Sequence, residues 1–293
     1  MIRTDLAIEN REIYNSAKNV QDEIPGVDVQ EEIKNDVQIT RVIINTQEGA
    51  EALNKPIGKY ITLEMPSNDE ITNEHEHNIS INIGSELKSM FDTTPKSLLV
   101  VGLGNQKITA DSLGPNVVNK LDITRHILQF APEEIDPNTT SVCAISPGVL
   151  GTTGIESSEI IKGIVEKVKP DAVIAVDALA ARRVQRINTT VQISNSGIHP
   201  GSGVGNRRKG LTKEELGVPV IAIGIPTVVD ATTITNDIIE RLLQNNVSDE
   251  DKTKLITELT KDNYYVVTPK DIDDVIVSLS DIIAEGINIA LFD

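Results

Sequence analysis

Three short, nearly uninterrupted apolar runs, Ser97–Gly102, Ala172–Val176 and Val218–Gly224, constrain this chain more than any other feature. A strand with one wet face alternates apolar and polar residues; a run that does not alternate fits a strand buried on both faces, which needs helices above and below it. The intervening segments supply them. Leu113, Val117, Leu121 and Leu128 recur at helical spacing, with Pro115 in the first turn where proline is tolerated. Ile155, Ile160, Ile161, Ile164, Val165 and Val168 form a second stripe that Pro170 stops. Ile234, Ile238, Ile239, Leu242 and Leu243 form a third, and Ile272, Val275, Ile276, Leu279, Ile282 and Ile283 a fourth. This alternation predicts an α/β fold, a mostly parallel twisted sheet covered by helices on both faces with right-handed crossovers.

The regular core is expected over residues 96–293. Residues 6–95 read as N-terminal additions: a short helix and turn over 8–24, strands at Val37–Ile44 and Lys59–Met65 with one helical turn between them, and an exposed acidic loop at 67–78. A single domain over 6–293 is the expected organisation. Aromatic residues make up only 2% of the chain, so Ile, Val, Leu and Ala must build the core. The net charge of −17 argues against a sequence-independent grip on a phosphate backbone, so direct nucleic-acid binding is not expected. One cysteine, Cys143, allows neither an internal disulfide nor a Cys-rich zinc site and fits a reducing, cytoplasmic setting. Neither a signal peptide nor a membrane-spanning run is expected.

In open α/β sheets, reactive groups collect beyond the carboxyl ends of the strands. Asp111 lies in the turn after the first apolar run, and Asp177 directly follows the second. If those strands are neighbours, both carboxyls face one cleft. Asp111 could instead cap the following helix, and an acid at the position of Asp177 also suits ribose or metal binding. Gly102-Leu-Gly104 begins a dinucleotide fingerprint, but Lys107 stands where its third glycine belongs. Close backbone approach is what these glycines offer, and a peptide could use it as well as a nucleotide. The segment Asn195–Gly210 holds five glycines and one of the four histidines, His199. A loop of that length is usually functional; His199 could orient water, bind substrate, or join Asp111 and Asp177 around a divalent ion in a metal-dependent alternative. Arg182, Arg183, Arg186, Arg207, Arg208 and Lys209 form a basic cluster able to receive acidic side chains of a peptide. His75 and His77 are assigned no role.

Several long segments together carry a resemblance: Arg3-Thr-Asp-Leu-Ala-Ile-Glu9, Val101-Gly-Leu-Gly-Asn105, Asp111-Ser-Leu-Gly-Pro115, Val176-Asp-Ala-Leu-Ala-Ala-Arg182 and Ile193–Arg207. In these the chain resembles the germination proteases of spore-forming bacteria, which are similar in fold to hydrogenase maturation endopeptidases. The resemblance implies an atypical aspartic endopeptidase that degrades small acid-soluble spore proteins, is made as a homotetrameric, self-processing zymogen and needs no cofactor. It puts Asp111 and Asp177 at the two catalytic positions. Gly102, Gly104, Asn105, Arg182, His199 and Arg207 stand beside them as candidate substrate-binding or supporting residues. The resemblance also gives the N-terminus a meaning. Substrates of the family are cut after glutamate in a Thr-Glu-Ile-Ala-Ser-Glu type motif, and Thr4-Asp-Leu-Ala-Ile-Glu9 repeats that order of residue types. Self-cleavage is therefore expected between Asp5 and Leu6, releasing residues 1–5 as a short propeptide, with aspartate in place of glutamate at the cut.

Overall fold

The computed structural model describes residues 4–18, 24–65, 72–91, 93–201, 209–235 and 265–292. In chain order the elements are α1 (Ala7–Lys18), β1 (Val27–Lys34), β2 (Val37–Ile44), α2 (Gln47–Leu53), β3 (Gly58–Glu64), α3 (Asn73–Lys88) and β4 (Ser97–Gly102). Then come α4 (Leu113–Val118), α5 (Arg125–Phe130), β5 (Ser141–Ile145), α6 (Leu150–Thr153), α7 (Ser157–Val168) and β6 (Ala172–Ala181). The remainder is β7 (Thr190–Ser194), α8 (Lys213–Leu216), β8 (Val220–Asp230), β9 (Val266–Val267) and α9 (Ile272–Phe292).

All described strands belong to one sheet in the order β1-β2-β3-β7-β8-β6-β4-β5, with β9 against β8. The predicted parallel core is the β8-β6-β4-β5 half. The N-terminal strands extend it through antiparallel ladders, starting from a tight β1–β2 hairpin whose Asn35 and Asp36 both take positive φ. Those two residue types tolerate the left-handed region that such hairpin turns require.

The apolar runs are buried on both faces, as their lack of alternation demands. Leu98, Val100, Ile174 and Val176 face α3, α4 and α9. Leu99, Val101, Val173 and Ala175 face α7 and the N-terminal residues Leu6 and Ile8. Each fully buried Leu or Ile contributes on the order of 1.5–3 kcal/mol.

Local structure departs from the sequence reading at two helices. Residues 73–78 are not loop but the opening of α3, where the Thr72 hydroxyl accepts from the His75 backbone N–H at 3.4 Å. The acids that made this stretch look like a solvated loop, Glu74 and Glu76, sit in the first helical turn, where the helix dipole favours negative charge. The apolar stripe from Leu113 to Leu128 is likewise divided between α4 and α5 rather than carried by one helix. The proposed helix stripe Ile238–Leu243 lies outside the described residues. By length and composition α9 is apolar enough to cross a bilayer. It is a core helix here: Ile276, Leu279, Ile283 and Ile287 are buried, while Asp281 pairs with Lys120 at 2.6 Å and Glu285 with His77 at 2.7 Å.

Candidate active site

β4 and β6 are adjacent and parallel, with Gly102 opposite Val176. Asp177 continues β6 one residue further and is 5% exposed. Its Oδ1 accepts the N–H of Ala178 at 3.0 Å. By strand alternation its side chain shares the face of Val173, Ala175 and Leu179, the side on which Leu6 and Ile8 pack.

Asp111 closes a single 3-10 turn, Thr109–Asp111, and its Oδ2 accepts the N–H of Asn105 at 2.8 Å. The cap position of α4 belongs to Ser112, so helix capping does not account for Asp111. The turn is pinned to β8, because Thr227 Oγ1 donates to Ala110 O at 2.6 Å. The two predicted glycines make this close folding possible. A Cβ on Gly102 would lie 2.2 Å from Gly114 O, and one on Gly104, whose φ is +115°, would lie 2.0 Å from Asp111 O. Gly104 lets the Asp111 turn, and Gly102 lets α4, lie directly on the strand end. Asp111 and Asp177 line one cavity of about 460 Å³.

The third acid lining that cavity is Asp5. Among the described residues β4 has no pairing with β6 past Gly102, and Asp5 docks further along the β6 backbone. Its N–H donates to Ala180 O at 2.9 Å and its Oδ2 accepts from Ala180 N–H at 3.0 Å. The segment beyond Asp5 is buried: Leu6, Ala7 and Glu9 are each 0% exposed. Glu9 is held at the end of β6, where Oε2 accepts from Arg182 N–H at 2.7 Å and Oε1 from Arg183 N–H at 2.9 Å. Thr4 Oγ1 also donates to Glu9. The Arg186 guanidinium stands 3.7 Å from Glu9 and pairs with Glu12 at 2.9 Å and Glu64 at 3.3 Å. Arg183 and Arg186 of the basic cluster thus face acidic side chains of the chain's own N-terminal segment, Glu9 and Glu12. Arg182 takes part through its backbone.

His199 is exposed and lies against Gly210. It lines an adjoining pocket of about 70 Å³ together with Asp5, Lys55 and Asp177, but it does not line the larger cavity with Asp111. Among the described residues no group of three or more His, Cys, Asp or Glu is placed to hold a metal ion, so Asp111, Asp177 and His199 do not form the ligand set of the metal-dependent alternative. Arg207 and Arg208 lie outside the described residues, and Lys209 is exposed.

Two further groups at the site have no signal in the sequence. Lys55, just after α2, donates from Nζ to Asp5 O at 2.8 Å. Gln192, on β7, donates from Nε2 to the same oxygen at 3.0 Å and accepts at Oε1 from Ala7 N–H at 2.6 Å. Desolvation pulls the Lys55 ammonium below the ordinary lysine pKa, against the opposing field of Asp5.

A peptide docked on the backbone of a strand, beside two strand-end carboxylates in a shared cavity, is the arrangement of a peptidase built on an α/β sheet. Comparison with known proteins agrees. The peptidase family described as germination protease matches residues 5–246. Curated germination proteases from Clostridium tetani and Caldanaerobacter subterraneus are 47% and 48% identical, each aligned over 99% of this chain and over 95% and 94% of the relative. That of Priestia megaterium is 42% identical over 99% of this chain and 93% of its own length. Among solved structures, the [NiFe] hydrogenase maturation protease HycI from Thermococcus kodakarensis is similar at a TM-score of 0.38 and 18% identity, covering 69% of this chain and 98% of that one. The chain belongs to the germination protease family, and with it to the proteases that act in spore germination.

Proposed function

We propose that this chain is an endopeptidase that initiates degradation of small acid-soluble spore proteins in the spore core, made as a zymogen that cuts itself between Asp5 and Leu6. Residues 1–5 are then the propeptide and 6–293 the peptidase domain, assembled as a homotetramer and using no cofactor. The observation that carries this reading is the shared cavity: Asp5, which supplies the carbonyl of the bond, lies in it with Asp111 and Asp177.

Peptide hydrolysis needs a base to take a proton from water and an acid to protonate the departing nitrogen. Two carboxyls over one site do not both ionise cheaply, so one proton shared between Asp111 and Asp177 provides both functions. The extended peptide and the buried Glu9 supply orientation: the bond is presented by contacts on both sides of it, at Ala180 before the cut and at Arg182 and Arg183 after it.

The test is to incubate the purified full-length chain and determine the new N-terminus by mass spectrometry. Leu6 is expected. Asp111→Asn and Asp177→Asn should each lower processing and cleavage of a spore-protein peptide by at least about 1000-fold while keeping the melting temperature within a few degrees. That size is the roughly 10²- to 10⁴-fold that a positioned general acid or base contributes, and loss of either carboxyl removes the shared proton. A different terminus refutes the cut site, and substantial activity in both variants refutes the dyad.

A further inference from the structure

We propose that Lys55 and Gln192 form the oxyanion site of this protease, two donors that hold the carbonyl oxygen of the residue before the cut and take its charge as water adds. The proposal deepens the reading that Asp5–Leu6 is the bond cut, and it rests on that reading.

Both donors already converge on one atom. Asp5 O accepts from Lys55 Nζ at 2.8 Å and from Gln192 Nε2 at 3.0 Å. The other end of the same carboxamide accepts Ala7 N–H at 2.6 Å, so Gln192 spans the Asp5–Leu6 bond and fixes the backbone on both sides of it. The two groups arrive from separate, well-held elements. Gln192 is buried on β7 between Thr62 of β3 and Gly224 of β8. Lys55 follows the left-handed Asn54 that ends α2, and its own N–H returns to Ala50 O at 3.1 Å. Donors fixed in advance need no reorganisation when charge develops, which is why such sites contribute so strongly to rate. A lysine ammonium drawn into a cleft, where it is poorly solvated, gains more from a full negative charge on oxygen than from a neutral carbonyl.

The step balances without any further reactant. Water adds to the Asp5 carbonyl carbon and gives one proton to the carboxylate acting as base, while the carbonyl π pair moves onto the oxygen facing Lys55 and Gln192. The pair then returns, the bond to Leu6 nitrogen breaks with its electrons on nitrogen, and that nitrogen takes a proton from the aspartate pair. A carboxyl at Asp5 and an amine at Leu6 result, with nothing oxidised or reduced.

The experiment compares the full-length chain with Lys55→Met and, as a reference, Asp177→Asn. Self-processing is followed by mass spectrometry, and cleavage in trans is followed on a synthetic peptide with the sequence of residues 3–9. Lys55→Met should lower kcat by about 100- to 1000-fold with KM changed less than threefold. It should also weaken binding of a phosphinic analogue of that peptide, a mimic of the tetrahedral state, far more than binding of the uncut peptide to an Asp177→Asn background. If Lys55→Met does not fold, Gln192→Glu carries the test, since it keeps the size and sets a negative charge against the oxyanion; a comparable fall in kcat is expected. Processing by Lys55→Met at the wild-type rate while Asp177→Asn is inactive overturns the oxyanion role and leaves the cut site standing. Equal losses for uncut peptide and phosphinic analogue reduce Lys55 to a binding group and also overturn it. A wild-type N-terminus other than Leu6 overturns the cut site and this role together.

Discussion

Tyr60 and Arg186 show how single buried groups can set the behaviour of the surrounding fold. Tyr60 is 2% exposed, and its hydroxyl donates to Pro56 O at 2.8 Å. Burial, partly opposed by a hydrogen bond with Ser196, pushes its pKa up to about 12. The unfolded value is about 10, so the folded state favours the neutral phenol. That contribution is complete below about pH 10 and is lost as pH rises towards 12. Urea unfolding across this window should show wild-type stability falling more steeply than that of Tyr60→Phe; parallel curves would contradict the assignment. At Arg186 burial works against the charge, but Glu12, Glu64 and Glu9 more than compensate and raise its pKa. Arg186→Met leaves the buried Glu9 carboxylate without its nearby cation, and a loss of about 3 kcal/mol in unfolding free energy with an unchanged urea m-value is expected.

At the scale of elements, the Asp111 turn is held by backbone approach rather than by side-chain packing. Gly104→Ala forces a Cβ to within 2.0 Å of Asp111 O at a φ of +115°. Strain of this kind costs about 1–3 kcal/mol, and the larger effect should be on catalysis: a shift of the turn by about 1 Å is expected to lower kcat about 100-fold. A variant with normal kcat and a lowered melting temperature would show the turn to be structural only. This part of the site was legible in the sequence because strand ends, glycines and aspartates lie within a few residues of one another. β4 and β6 announce themselves as unbroken apolar runs, but their adjacency was only a condition of the sequence reading, because β5, which lies between them in the chain, pairs on the other side of β4. Lys55 and Gln192 were not legible. They come from the end of a short helix and from a strand that pairs antiparallel with both neighbours, and nothing local marks either as facing Asp5. The opening of α3 was misread for a related reason, since its polar first turn hides a helix whose apolar stripe begins only at Ile79. Arg182 was singled out for its charge, yet what the structure uses at Glu9 is its backbone N–H, a donor every residue but proline carries.

For the molecule as a whole, the net charge of −17 sets a cost on drawing another acid into the interior, and Glu9 is nevertheless fully enclosed. Its two amide donors and the nearby Arg186 offset that cost. Anchoring the N-terminus this way holds Asp5 within four residues of a fixed point, so under the proposed cut site its bond is presented to the cleft of its own chain. Maturation should then behave as a clock that does not count molecules. Its half-time is expected to be the same at 0.1 μM and 100 μM protein, to within about twofold, when measured by the appearance of the Leu6 terminus; a rate rising in proportion to concentration would mean that one chain cuts another. Dilution and accumulation would then be equally powerless to start or stop the conversion. Control would have to come from whatever alters the cleft itself, such as its water content or its protonation.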